Sequence, residues 1–264
     1  MSRFFFVVFS VFFLVSCSPY QDALKSEDVD VKYVEAEKMY QKEKYMKAIR
    51  LFEQMAPTFR GKPESENMYY MFAQSYLKTE QYMLAAYQFE SFVSSFPQSE
   101  KLEEASYLAA KCHSMMSPRY SLDQSETNKA IEKLQGFIDR FPDSKFLPEA
   151  NASVKVLREK IEKKVFENAK QYNTISDFKS ALVALDNFII EFPGTPFREE
   201  AMYYKLDSAY NLAINSVPSK MEERLQNAKT AYSQLLKAFP STKYKAQADD
   251  MLVRIENDLK QYIK

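Results

Sequence analysis

The chain of 264 residues has no tryptophan, three glycines, one histidine and two cysteines. Each scarcity removes a possibility. Gly61, Gly136 and Gly194 stand alone, so no glycine-rich phosphate loop exists and few strands could be turned. A lone His113 cannot build a multi-histidine metal site, and a histidine-based triad would rest on it alone. Net charge is missing too. The 36 basic residues balance 36 acidic ones, which argues against an electrostatically driven nucleic-acid role. The carboxylates lie among Lys and Arg on what read as solvated helix faces, for example Arg158 to Glu167. What is plentiful is apolar and aromatic: 46% hydrophobic residues, with 21 Phe and 18 Tyr, are ample for a core. A helix-rich, aromatic-packed protein is the expectation.

The first residues predict a location. Arg3 precedes an apolar run from Phe4 to Val15, and Leu14-Val15-Ser16-Cys17 closes it. That is the layout of a secretory signal, and a cysteine at the cleavage point makes it a bacterial lipoprotein signal. The run holds 12 residues, whereas a spanning helix needs about 20. Residues 1–16 are thus a removable signal peptide. Cys17 is the lipid attachment site, and two or more acyl chains there give stable anchoring. Residues 17–28 read as a polar, lipidated tether, and residues 29–264 as one repeat domain. Ser18 is not the Asp that retains many lipoproteins at the inner membrane, which favours export outward. With Cys17 lipidated, Cys112 has no internal partner and reads as a small buried thiol beside Ala109 and Ala110.

Self-similarity is the second strong signal. Ala48, Ala85, Ala130, Ala181 and Ala228 open five related stretches, and eleven residues later stand Phe59, Phe96, Phe141, Phe192 and Phe239. Pro follows in four copies (Pro97, Pro142, Pro193, Pro240), with Arg60 in the first. Nine residues past the Phe come Met68, Ala105, Ala150, Ala201 and Ala248. Each copy reads as two helices, because Ala85, Phe89, Phe92, Val93 and Phe96 fall near one face at helical spacing. The Phe-Pro end stops the second helix, since the residue before Pro is pushed out of the α region. One helix pair cannot cover its own apolar face, so stacked neighbours must share a core.

Glu66 to Pro97 resembles a tetratricopeptide repeat: Tyr69, Ala73, Tyr76, Tyr82, Ala85, Phe89, Phe92 and Pro97 fall in its signature slots. Ala36, Tyr45, Ala48 and Phe52 match in the copy before, while the later three copies keep the second helix and lose much of the first. The fold expectation is all-α: a right-handed α-solenoid of five such pairs, at about 29–62, 66–99, 103–144, 148–195 and 199–243, with a final helix at 244–263. The later copies carry extra length between their helices. It reads as a loop at about Ser117–Thr127, as a prolonged helix through Leu147, Ala150, Val154, Leu157, Ile161 and Val165, and as a segment centred on Asn215–Ser219. These inserts read equally as partner-binding elements and as tolerated length.

The lipobox, the tether and ends such as Phe96-Pro-Gln-Ser and Phe192-Pro-Gly-Thr together resemble the BamD family, lipoproteins of the outer-membrane β-barrel assembly machinery. The resemblance implies a scaffold without catalysis and without a cofactor beyond the covalent lipid on Cys17. It implies two partners: the periplasmic domains of a BamA-like β-barrel subunit, and unfolded outer-membrane proteins. It places the chain on the periplasmic face of the outer membrane. By the same likeness the last two copies would dock the barrel subunit, with Tyr203, Tyr204, Arg224 and the Pro218 loop as undecided candidates.

A binding module also follows from the residues. Tyr33, Tyr70 and Tyr107 recur every 37 residues, and Tyr203 takes that slot in the fifth copy, while the fourth has Ala152. Glu37, Tyr40, Gln74 and Lys111 occupy nearby slots. Tyr33, Tyr40, Tyr70, Gln74, Tyr107 and Lys111 form a candidate groove for an extended, aromatic-ended peptide. The other reading is that these rings pack between helices and only their hydroxyls reach water. Rival functions are a Tol–Pal-associated scaffold, which usually carries a coiled coil and no lipobox, and a nutrient-handling surface lipoprotein, which is usually longer and rich in Trp.

Overall fold

The computed structural model describes residues 19–59 and 61–262; the signal and Cys17 lie outside the described residues. Among the described residues the chain is all-α, with twelve α-helices, a closing 3₁₀ turn and no strand. It divides into two compact units, the first ending at Met115 and the second beginning at Met116.

The first unit holds α1 (Pro19–Lys25), α2 (Val29–Gln41), α3 (Tyr45–Met55), α4 (Ser65–Lys78), α5 (Tyr82–Ser95) and α6 (Leu102–Met115). The second holds α7 (Ser125–Arg140), α8 (Leu147–Thr174), α9 (Phe178–Glu191), α10 (Arg198–Ile214), α11 (Pro218–Ala238) and α12 (Lys245–Leu259). Within each unit every helix packs on the next in sequence, and α2 also meets α4, α8 meets α10, and α10 meets α12. These are stacked helix pairs of the kind the repeat columns require. Residues 19–25, read from sequence as part of a polar tether, instead form α1 and bury Tyr20 and Ala23.

The columns occupy the centre of the packing. Ala48, Ala85, Ala130, Ala181 and Ala228 are all fully buried, as are Ala105, Ala150, Ala201, Ala248 and Met68. A larger side chain at these slots would hold the helices apart. In the first unit the core is one cluster running from Tyr20 through Phe52, Phe59 and Phe89 to Cys112. In the second, separate clusters gather around Phe166, Leu185 and Phe188, and around Leu206, Leu225 and Leu235. Burying each large side chain contributes about 1.5–3 kcal/mol against leaving it exposed.

Two local devices punctuate the pairs. The first is the turn between the two helices of a pair. Glu43, Glu80 and Ser176 have φ of 56, 59 and 62°. In the first of these turns Lys44 N–H bonds the Met39 carbonyl at 2.8 Å and Glu43 N–H bonds that of Tyr40 at 2.9 Å. Gln81 with Glu80, and Asp177 with Ser176, repeat both bonds. This is a Schellman closure, which usually carries glycine at the left-handed position. Here acidic or small polar residues hold it.

The second device is the Phe-Pro end. Phe96, Phe141, Phe192 and Phe239 share one backbone conformation, with φ of −126, −127, −120 and −134° and ψ of 63, 68, 68 and 78°. Proline disfavours the α region for the residue before it, and these four residues lie outside that region. Two positions after the proline, a hydroxyl residue takes over. Ser144, Thr195 and Thr242 donate their backbone N–H to the carbonyls of Phe141, Phe192 and Phe239, and their side chains accept from Phe146, Phe197 and Tyr244 N–H. All three are buried. The hydroxyl satisfies a donor that the chain reversal would otherwise orphan.

The inserts resolve differently in each copy. Residues 116–124 form a loop, with helix resuming at Ser125 rather than after Thr127. Gln124 pins that loop: its buried amide donates to the carbonyls of Arg119 and Leu122, each at 2.9 Å. Lys160 reaches in from α8 to the Ser117 hydroxyl at 2.7 Å, which in turn meets Thr127 at 2.7 Å. In the fourth copy the extra length is helix, making α8 28 residues long. In the fifth only 215–217 is non-helical, because Pro218 starts α11 at a position where its missing N–H costs nothing. Arg224 donates to Ser216 across that gap.

Candidate functional site

The tyrosine slots of the first three copies lie on α2, α4 and α6 of the first unit. Tyr33 is half-buried and stacks on Phe59, with centroids 5.2 Å apart. Tyr70 is 9% exposed and Tyr107 3% exposed. The Tyr70 ring meets Phe89 and Phe92 edge-on at 6.1 and 5.6 Å. Ring area at these slots is therefore largely engaged with the protein's own core, and polar tips and neighbours carry the outward face.

Those neighbours form a network. Gln74 donates to the Tyr70 hydroxyl at 2.9 Å. The Glu104 carboxylate acts electrostatically on that hydroxyl. Lys101 sits over the Tyr70 ring at 4.6 Å and donates to Asn67 at 3.2 Å. Asn67 in turn donates to the Tyr33 hydroxyl at 3.2 Å. Tyr40 lies edge-on to Tyr45 at 5.6 Å and feels the Glu104 charge. Lys111 stands over the Tyr107 ring at 5.6 Å. The structure thus brings Tyr33, Tyr40, Tyr70 and Gln74 into one linked set through Asn67, Lys101 and Glu104. Tyr107 and Lys111 form a pair on α6.

Burial raises the Tyr70 hydroxyl far above the ordinary phenol value; donation from Gln74 opposes this, and Glu104 adds to the rise. Tyr40 is raised by burial first, then by Tyr45 and Glu104. Both hydroxyls stay protonated at neutral pH and can donate. The arrangement offers donors, acceptors and cation-bearing ring faces. It presents no nucleophile paired with a base.

Asn67, Lys101 and Glu104 were not singled out by sequence. A signal existed: Asp30, Asn67 and Glu104 stand 37 apart, three residues before each tyrosine. Ring spacing alone does not reveal this polar column beside the tyrosines. In the fifth copy Tyr203 stacks on Tyr244 at 4.2 Å with planes 10° apart, and Ala152 of the fourth is exposed. His113 is buried, with Nε2 3.1 Å from Glu90 and Nδ1 lacking a hydrogen-bond partner. Cys112 is fully buried, and desolvation pushes its thiol up to about 12.

A family model described as YfiO, outer membrane lipoprotein, matches residues 25–174 and again 161–262. The chain belongs to this YfiO family. It is the BamD family that the lipobox and Phe-Pro ends resemble. Its members are outer membrane lipoproteins, and association with that membrane follows for this chain. Among the described residues no helix is long and apolar enough to cross a membrane. Two solved structures of a kinesin-light-chain-type protein with nearly identical TPR-like repeats, from Podosopora anserina, are also similar. One is 16% identical over 87% of this chain and 97% of that chain, with a TM-score of 0.33. The other is 17% identical over 79% and 98%, with a TM-score of 0.32. No curated protein matches.

Proposed function

We propose that this YfiO-family chain is a non-catalytic scaffold of the outer-membrane β-barrel assembly machinery. It is held at the periplasmic face of the outer membrane by lipid on Cys17. It binds the periplasmic domains of a BamA-type subunit and receives unfolded outer-membrane proteins. The family match from residue 25 to residue 262 carries this reading, because it covers both units. Stacked helix pairs support it, since they offer long side-chain-lined faces.

The first unit holds the substrate segment. Tyr33, Tyr40, Tyr70, Gln74, Tyr107 and Lys111 supply the face. Gln74, Lys111 and the tyrosine hydroxyls orient an extended strand end, and Lys111 attracts its carboxylate. The core-packed rings of Tyr70 and Tyr107 make Tyr→Ala a poor probe, because it would open a cavity. Tyr70→Phe combined with Lys111→Ala keeps the packing and removes the polar groups. Affinity for a peptide ending in an aromatic residue and a free carboxylate drops several-fold; unchanged affinity rejects this face.

The function as a whole is tested by affinity purification from detergent-solubilised envelopes. Recovery of a large β-barrel protein with periplasmic domains is the expected outcome. Recovery of peptidoglycan-bound Pal, or of glycan transporters, assigns the chain to another envelope scaffold.

A further inference from the structure

The far end of the first unit, where α1 meets α2, carries an uncovered hollow. It has a volume of about 560 Å³ and is lined by Pro19, Ala23, Val31 and Val34, with Asp22, Asp30 and Glu35 at its rim. Val31 and Val34 are 45 and 65% exposed. Apolar side chains left this open need an account.

Two rim carboxylates are already paired, Asp30 with Lys62 and Glu35 with Lys38 at 3.1 Å. The helix that forms one wall is packed down on its neighbours. Tyr20 and Ala23 are 6 and 1% exposed, and Lys47 lies over the Tyr20 ring at 4.9 Å. Lys32, itself buried, ties the end of α1 to α3 by donating to the Leu24 carbonyl at 3.5 Å and to Gln54. Cys17 precedes Pro19 by two residues, at most roughly 7 Å of extended backbone.

We propose that this hollow is a membrane-contact surface: Pro19, Val31 and Val34 rest in the interfacial region of the bilayer that holds the Cys17 lipid. The inference rests on lipidation at Cys17 and goes beyond it. A long flexible tether would leave the protein free to tumble above the membrane. A docked α1 two residues from the anchor leaves no such freedom, so the nearest open face must meet the headgroups. The partner is a zwitterionic phospholipid surface. Exposed Asp22, Glu27 and Asp28 outnumber exposed Lys25 and Lys47 around this end, and the acidic excess disfavours an anionic one.

The test uses the full, lipidated chain in phosphatidylcholine–phosphatidylethanolamine vesicles. A fluorophore is placed by Val34→Cys, with Met115→Cys on α6, the last helix of the same unit, as a control that is 52% exposed. Cys112 stays unlabelled because it is buried with its thiol pushed up to about 12. Lipids brominated near the headgroup should quench the label at 34 and leave that at 115 bright. Adding anionic lipid should weaken the quenching. Tyr20→Ala, which frees α1, should abolish quenching at 34 while the protein still floats with the vesicles. Flotation without quenching at 34, or quenching unaffected by Tyr20→Ala, overturns the contact surface and leaves the anchor intact. Failure to float overturns the anchor, and the contact with it.

Discussion

The two units are made of the same kind of helix pair and differ in how strictly they keep its period. In the first, the copies repeat at 37 residues, and the buried residues join into one cluster built on Phe52, Phe59, Phe89, Phe92 and four methionines. In the second, the period stretches, α8 reaches 28 residues and α11 reaches 21, and the buried residues gather in separate clusters. Strict spacing lets successive pairs interdigitate aromatic rings, and added length interrupts that continuity. Where continuity is lost, polar clasps take its place: Lys160 on Ser117, Arg224 on Ser216, Lys170 on Glu200 at 2.8 Å.

The sharpest way to break this contrast is a matched truncation. Phe92 and Phe188 occupy the same slot, four residues before a Phe-Pro end, and are 1 and 0% exposed. Either change to Ala costs about 3–5 kcal/mol. Hydrogen exchange should respond differently. Phe92→Ala deprotects α2 to α6 together, whereas Phe188→Ala deprotects α8 and α9 and spares α12. Equal loss throughout the second unit would mean that its clusters act as one.

Next in size is the loop clasp. Lys160→Met removes the donors to Ser117 and lowers stability by about 1–2 kcal/mol. Proteolysis at residues 116–124 should rise while the first unit stays resistant. Burial holds the Lys160 ammonium below the usual lysine value.

A smaller effect has the opposite sign. Glu80→Gly and Ser176→Gly relieve left-handed residues, a gain of about 1–2 kcal/mol set against the 0.5–1 kcal/mol that glycine loses on ordering. Net stabilisation of up to about 1 kcal/mol should appear in urea titrations of both units. Asn215→Gly, at a φ of −95°, should show none.

The smallest effect is confined to acid. Asp249 accepts from Tyr232 at 2.8 Å and from Lys245 at 2.8 Å, and these bonds lower its pKa from 3.8. Its folded pKa lies below the unfolded one. The stabilisation is therefore present above about pH 3.8 and disappears as pH falls through the lower folded value. Asp249→Asn should flatten only the acid limb of the second unit's stability profile.

The repeat columns were legible because they report packing: a slot that admits only Ala, or a ring that must end a helix, recurs wherever the neighbour recurs. The Ala slots are all buried, and four of the five Phe slots cap a helix, whereas Phe59 of the first copy, which lacks the proline, lies three residues past the Ala56 cap of α3. The Schellman turns were not legible. Their usual marker is glycine, and Glu43, Glu80 and Ser176 give no hint of φ above zero. Helix α1 was hidden for another reason. Seven residues are too few to show a period, and only contact with α2 and α3 makes it a helix. The tyrosine face was half legible. Spacing found Tyr33, Tyr70 and Tyr107, but how much of each ring lies open depends on Phe59, Phe89 and Phe92 across the helix pair.

The Phe-Pro-x-Ser/Thr end closes its own backbone with its own hydroxyl. The backbone closure is local, and single polar bonds, Ser99 to Glu66 and Lys243 N–H to Glu199, tie two of these joints to the first helix of their copy. Nature, or a protein engineer, can thus lengthen, shorten or exchange the segment between two of these joints as an interchangeable cartridge. A family of outer membrane lipoproteins could in this way vary its side-chain-lined faces while leaving its spine unedited.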